Sequence, residues 1–274
     1  MRFAKMHGLG NDFIVINGFV EEMREDWGPL AQKVCRRQFG VGADGMIVLA
    51  PSETAAAQFI FHNADGSRAE SCGNGLRCAA LFARLEGIVD TDKFTFELPS
   101  GSADVEILDL EKGMVRVDLG RPSFRPEAIP AKISGSRVVS VPLELPSARV
   151  RATLVSVGNP HCVVFVDDVD SYPVEKIGPQ IEQHELFPHK INAEFVQMLD
   201  DDHCKMRVWE RGVGETYCCG TGAAASMLAA QANGYCGDEL KVIMRYGLLQ
   251  VSRKEEHVLL EGPAVLVGYI DYRL

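Results

Sequence analysis

Two short motifs, Glu70-Ser-Cys72-Gly-Asn-Gly75 and Tyr217-Cys-Cys219-Gly-Thr-Gly222, constrain this chain more than any other feature, because each leads into an apolar, helix-forming run. In both, Gly-x-Gly lets the backbone turn tightly and leaves N–H groups free at a helix start. There the helix dipole favours negative charge and lowers a thiol pKa from its usual value of about 8.5. Both cysteines are therefore expected to be reactive.

The spacing around the motifs repeats as well. Gly10-Asn11 precedes Cys72 by 61 residues and Gly158-Asn159 precedes Cys219 by 60, and both pairs open into strand-like runs, Phe13 to Ile16 and Cys162 to Val166. Asn63 and Glu210 each stand 9 residues before their cysteine, at the ends of the strand-like segments Gln58 to His62 and Lys205 to Trp209. Three such matches indicate two halves of common ancestry, related by pseudo-symmetry. Each half would present one cysteine at a helix N-terminus, facing the other across a cleft.

A chain of 274 residues suffices for two domains, each with its own core. A net charge of −10, with no clustered Lys/Arg footprint, argues against a nucleic-acid or anionic-membrane surface. The first residues hold no apolar signal-like segment and no run approaches the length of a membrane span, so the expected location is the cytoplasm. In that compartment most of the eight cysteines should stay reduced. Cys35, Cys78, Cys162, Cys204 and Cys236 read as small buried hydrophobes.

Helical periodicity runs through Trp27 to Gln38, Gly75 to Leu85 and Gly222 to Asn233, the last stopping at Gly234 as a C-cap would. Strand patterns dominate elsewhere: Met46 to Leu49, Phe94 to Leu98, Ala103 to Leu108, Met114 to Asp118, Leu154 to Val157, Glu194 to Met198, Leu240 to Met244, Leu248 to Ser252 and Val258 to Glu261. The second and third helices are so apolar that strands should wrap around them. The Gly- and Pro-rich stretch 120–126 is the expected domain boundary.

Gly40-Val-Gly-Ala-Asp-Gly45 fits the G-x-G-x-x-G dinucleotide fingerprint, but it follows a helix and opens a strand, the reverse of the required context. Neither C-x-x-C nor H-E-x-x-H occurs, and the adjacent Cys218 and Cys219 have a spacing that structural zinc sites seldom use; no metal site is expected. His161 is read as a turn histidine able to tune or accept a proton. Glu210 and Arg211 end an apolar strand in register with Asn63, which lifts them toward the cleft.

The motifs Met6-His-Gly-Leu-Gly-Asn-Asp-Phe13, Asn63-Ala-Asp-Gly-Ser67, Cys72-Gly-Asn-Gly75, Gly158-Asn-Pro-His161, Glu210-Arg-Gly212 and Cys219-Gly-Thr-Gly222 together resemble the diaminopimelate epimerase family, in order and spacing and over essentially the whole chain. The resemblance implies an α+β fold of two pseudo-symmetric domains, each a strand-rich, barrel-like sheet around a central helix, with the active site between them. Its boundaries would be 1–119, with the returning strand 264–274, and 120–263. It implies an epimerase that interconverts LL- and meso-diaminopimelate without pyridoxal phosphate, metal or other cofactor. Cys72 and Cys219 would be the acid/base pair, assisted by His161 and Glu210. Asn11, Asn63, Asn159, Asn192, Glu210 and Arg211 would contact substrate, while Gly73, Asn74, Gly220 and Thr221 supply backbone N–H groups.

Three departures accompany the resemblance: Gly45 where some members carry glutamine, His62 where an aromatic residue is common, and Cys218 where a small residue is usual. None removes a catalytic group. Two other readings stay open on sequence alone, a racemase for a different amino acid in the same superfamily and a non-catalytic amino-acid-binding module. The oligomeric state, a homodimer included, is also open. Four asparagines and an arginine exceed what a small amino acid could use and suit a second amino-acid head group.

Overall fold

The computed structural model describes residues 1–69, 72–99 and 101–273. Glu70 and Ser71 of the first motif, and Leu274 of the returning segment, lie outside them. The chain divides into two compact units, one of Met1–Asp118 with Glu261–Leu274 and the other of Leu119–Leu260.

In the first unit Arg2–Gly8 pairs antiparallel with Asn11–Asn17 and, along its other edge, with Val265–Asp271. Asn11–Asn17 runs parallel to Gly45–Ala50, which pairs antiparallel with Ala57–Asn63. Ala57–Asn63 then runs parallel to Lys93–Leu98, and Gly101–Asp109 and Met114–Asp118 follow as antiparallel neighbours. Parallel neighbours cannot be joined by a tight turn and need a crossover. The two crossovers here carry helices α1, Gly28–Val34, and α2, Gly73–Leu85.

The second unit repeats this order. Ala148–Ser156 pairs antiparallel with Val141–Leu145 and with Pro160–Phe165, which runs parallel to Asn192–Met198. Asn192–Met198 pairs antiparallel with His203–Glu210, which runs parallel to Glu239–Met244, itself antiparallel to Gly247–Lys254. Helices α3, Val174–Glu182, and α4, Gly220–Ala232, occupy the two crossovers. Apart from Met114–Asp118, each of these strands and both helices has a counterpart with the same pairing in the other unit, although the edge strand comes last in the chain in the first unit and first in the second.

The second helix of each unit is the centre of its core. α2 is buried from Gly73 to Ala83 and packs on Arg2–Gly8, Asn11–Asn17, Gly45–Ala50, Gly101–Asp109, Met114–Asp118 and Val265–Asp271. α4, buried from Gly222 to Ala230, packs in the same way on six strands of its own unit. An all-round apolar helix is stable only when enclosed, and the strands enclose it. Strands between the inner and outer helices are buried on both faces, which explains their continuous apolar runs. In the first unit Ile14, Ile16, Met46 and Val48 pack outward with Trp27, Leu30 and Val34 around α1.

Three sequence readings need correction. The helix expected over Trp27 to Gln38 ends at Val34, because the chain doubles back: Val41 N and Gly42 N both donate to Val34 O, at 2.8 and 2.9 Å. Gly40 sits so close to the helix end that a Cβ there would lie 2.5 Å from two carbonyl oxygens. Helix α3 escapes the sequence pattern because Gly178 and Pro179 stand inside it. Gly178 is required there, since a Cβ would lie 2.5 Å from Trp209 Cγ. Cys236 is only half-buried, with its thiol 3.7 Å from Met227 O, and is no core residue.

Candidate active site

Each unit holds a cysteine at the N-cap of its central helix. Cys72 has extended backbone angles, φ −151° and ψ 115°, and its Sγ accepts the Gly75 N–H at 3.4 Å. Cys219 has φ −124° and ψ 110°, and its Sγ accepts the Gly222 N–H at 3.3 Å. A sulfur here takes one of the four N–H groups that a helix start leaves unpaired. The small Gly-x-Gly turn lets it do so.

Around Cys72 the hydrogen bonds fix one amide. Asn11 donates its Nδ2 to Asp44 Oδ2 at 2.8 Å, which turns its Oδ1 toward Asn74 Nδ2, at 3.1 Å, and Cys72 Sγ, at 3.9 Å. Asp44 is itself held by Arg37, Nη2 to Oδ1 at 2.7 Å, and receives the Asp12 N–H. Asp12 binds Arg37 and Lys5; burial alone would raise its carboxyl, but these two cations outweigh burial and keep it below the ordinary aspartate value. Asn74 is buried and accepts from the fully buried Arg77, Nη2 to Oδ1 at 2.9 Å. Asn63, at the end of its strand, donates to Ser67 Oγ at 2.9 Å.

Around Cys219 the neighbours are ionisable. Its Sγ is 3.5 Å from Thr221 Oγ1, to which Asn159 donates its Nδ2 at 3.3 Å. Asn159 Oδ1 stands 2.9 Å from His161 Nε2, and His161 Nδ1 donates to Glu194 Oε1 at 2.7 Å. His161 and Glu194 are completely buried. Glu210 accepts from the Thr216 hydroxyl, and burial is the main influence that pushes its carboxyl above the ordinary glutamate value, with Glu194 adding to it. Asn192 is buried, donates to Pro160 O at 3.1 Å and accepts the Arg211 N–H at 2.8 Å. The Arg211 side chain is exposed and bonds His189 O at 3.2 Å.

Two expectations are overturned here. His161 is not a turn residue but the second residue of the strand Pro160–Phe165, buried between Asn159 and Glu194. The Cys219 thiol is not lowered by its helix start. Burial, then the charges of Glu210 and Glu194, raise it well above the ordinary cysteine value and outweigh the Thr221 and Gly222 hydrogen bonds.

Glu194 is the residue that sequence reasoning missed. The strand pattern marks it only as the first residue of a strand, whereas that strand pairs in parallel with the strand of His161, Asn192 opposite His161 and Glu194 two residues on, which puts it on the same face as Asn192. Gly45 also gains an explanation: a Cβ there would lie 2.4 Å from the Phe61 ring, so the glutamine of some family members has no room. His62 is buried, with Nδ1 3.0 Å from Gly66 O, and Cys218 is buried beside Cys219.

The architecture recurs in solved structures. A probable proline racemase from Agrobacterium radiobacter K84 superposes with a TM-score of 0.72 at 16% identity, over 100% of this chain and 93% of that one. What the likeness shows is the fold, strand-wrapped units repeated in sequence; in this chain each has a cysteine capping its inner helix. The family model for diaminopimelate epimerase matches residues 3–125 and 153–267. Diaminopimelate epimerases of Pelotomaculum thermopropionicum and Moorella thermoacetica are 46% and 44% identical over 280 and 279 residues, covering 100% of both chains in each case. The chain belongs to the diaminopimelate epimerase family.

Proposed function

We propose that this chain interconverts LL- and meso-diaminopimelate by proton transfer at one α-carbon, with Cys72 and Cys219 as the two bases, in lysine and peptidoglycan precursor synthesis in the cytoplasm. The observation that carries the reading is the repeated device: one cysteine in each unit caps the buried helix and accepts an N–H from its first turn. Inverting a carbon centre requires a proton taken from one face and another delivered to the opposite face. Two thiols do this better than one.

The protons balance. A thiolate at Cys72 takes the α-proton and becomes a thiol, while the Cys219 thiol gives its proton to the other face and becomes a thiolate. The reverse reaction starts from the exchanged states. The raised Cys219 thiol suits the donor role. Negative charge that grows on the α-carbon and its carboxylate is met by N–H groups of Gly73 and Asn74 at one helix start and of Gly220 and Thr221 at the other. These amides are fixed before the reaction begins.

His161 and Glu210 assist exchange at Cys219, and Glu210 is positioned for it by Thr216. Asn11, Asn63, Asn159, Asn192 and Arg211 hold the two head groups of the substrate. A site that hydrogen-bonds a distal ammonium and carboxylate rejects analogues lacking them, because its own polar groups would be left unpaired. The test is incubation with LL-diaminopimelate, with proline and hydroxyproline as controls, followed by separation of the isomers. Formation of the meso isomer is expected. Inversion of a control amino acid without any conversion of diaminopimelate would overturn the assignment.

A further inference from the structure

We propose that Glu194 is a positioning residue for the proton transfer: it holds His161 against Asn159 and, as a second buried carboxylate beside Cys219, keeps that half-site in its proton-donating form. The proposal deepens the two-thiol reading above and rests on it.

The repeat supplies the comparison. Phe13 faces Gly45 across one parallel pair, and His161 faces Asn192 across the other. Two residues further along the second strand of each pair come Ile47 and Glu194. A Cβ placed on Gly75, in the first turn of α2, would meet Ile47 Cδ1 at 3.2 Å. A Cβ on the matching Gly222 of α4 would meet Glu194 Oε1 at 2.9 Å and Cys219 Sγ at 3.2 Å. The same spot beneath each helix start is therefore apolar in one unit and anionic in the other. One gap, the size of a methyl group, separates the carboxylate from the sulfur.

Stability does not explain a carboxylate in this place. Glu194 has no exposed surface, and its Oε2 is buried without a hydrogen-bond partner among the described residues. A group so placed is costly, and the matching Ile47 shows that the fold accepts a hydrocarbon there. The ionisable groups facing Glu194 are His161 and Cys162 from one neighbouring strand, Glu210 from the other, and Cys219 from the start of α4. His161 is the one that bonds to it. Removing the Glu194 charge weakens its hold on His161, since a hydrogen bond to a carboxylate is stronger than one to an amide oxygen, and removes one of the two anions that oppose a Cys219 thiolate.

The experiment uses Glu194→Gln, which keeps the shape and a hydrogen-bond acceptor, and Glu194→Ile, which reproduces the residue of the other unit. Alkylation by iodoacetamide, followed for each cysteine by mass spectrometry across pH, reads the thiols without substrate. The Cys219 midpoint should move down by about one pH unit in both variants while the Cys72 midpoint stays in place. Steady-state turnover of Glu194→Gln should fall in kcat by about tenfold with little change in KM, and the loss should vanish in a His161→Asn background. An unmoved Cys219 midpoint in either folded variant, or a kcat loss undiminished by His161→Asn, would overturn the proposal. A shifted midpoint in a protein that leaves diaminopimelate unconverted would uphold the role of Glu194 at the thiol and defeat the substrate assignment alone.

Discussion

Replacing Gly222 by alanine should damage the enzyme more than the fold. The new methyl would stand 2.9 Å from Glu194 Oε1 and 3.2 Å from Cys219 Sγ. Neither neighbour can yield cheaply: Glu194 is held at 2.7 Å by His161, and Cys219 is fixed by the N–H it accepts. Overpacking of this kind costs about 1–3 kcal/mol, against which alanine in a helix returns about 0.5–1 kcal/mol. The net destabilisation is thus about 0–2.5 kcal/mol, and the protein should fold. Activity is less forgiving, because displacing an acid/base group by a few tenths of an ångström should lower kcat by at least about tenfold, where a full 1 Å costs about a hundredfold. Gly75→Ala is the internal control. Its methyl would meet Ile47 Cδ1 at 3.2 Å and Cys72 Cβ and Phe59 Cζ at 3.4 Å, hydrocarbon or ordinary contacts that need give by only a few tenths of an ångström, so stability and kcat should stay near those of the wild type. Thermal unfolding and the isomerisation assay, run on both variants, decide the matter. Equal kcat values for Gly222→Ala and the wild type would refute the claim that the carboxylate and the sulfur share that gap.

Asp44→Asn should remove the charge that Arg37 pairs with and let the Asn11 amide turn over; stability should change by less than about 1 kcal/mol, as for an exposed ion pair, while kcat/KM falls about tenfold. An unchanged kcat/KM would show that the orientation of Asn11 is immaterial. Glu210→Gln should lower the pH at which Cys219 is alkylated, since it removes the larger of the two charges that raise the thiol; no shift would place Glu210 too far from the sulfur to act. A raised thiol pKa means that the native state holds the proton more tightly than the unfolded chain, so its contribution to stability is present below the unfolded thiol value and is lost as pH rises above it. Denaturant unfolding should therefore show the stability of Cys219→Ser gaining on that of the wild type as pH climbs from 8 to 10, and a constant difference would contradict the raised thiol.

What the sequence revealed was whatever local chemistry forces. A helix start that must accept a sulfur needs the Gly-x-Gly turn, so Cys72 and Cys219 could be located, with their asparagines at a repeated distance. Strands buried on both faces need unbroken apolar runs, so their positions were legible too. Tertiary contacts decided the rest. Helix α3 contains a glycine and a proline that local rules treat as breakers, yet Trp209 fills the space that only Gly178 leaves. The Gly-Asn-Pro sequence before His161 suggests a turn, and one is present; the strand, however, begins at Pro160 and carries the histidine inward. Glu194 lies in Asn-Ala-Glu-Phe-Val, where one charge in an alternating run reads as the solvent side. Only the pairing of its strand with that of His161 reverses the reading.

The central claim is that two thiols act on opposite faces of one α-carbon, and a short incubation of LL-diaminopimelate with the enzyme in D₂O tests it most directly. The base that removes the α-proton keeps it, while the other thiol delivers deuterium from solvent. The account predicts that, before appreciable reversal, the meso product carries deuterium at the inverted carbon and the recovered substrate carries none. Product that retains the original proton, or deuterium entering substrate as fast as product, would mean that a single base serves both faces.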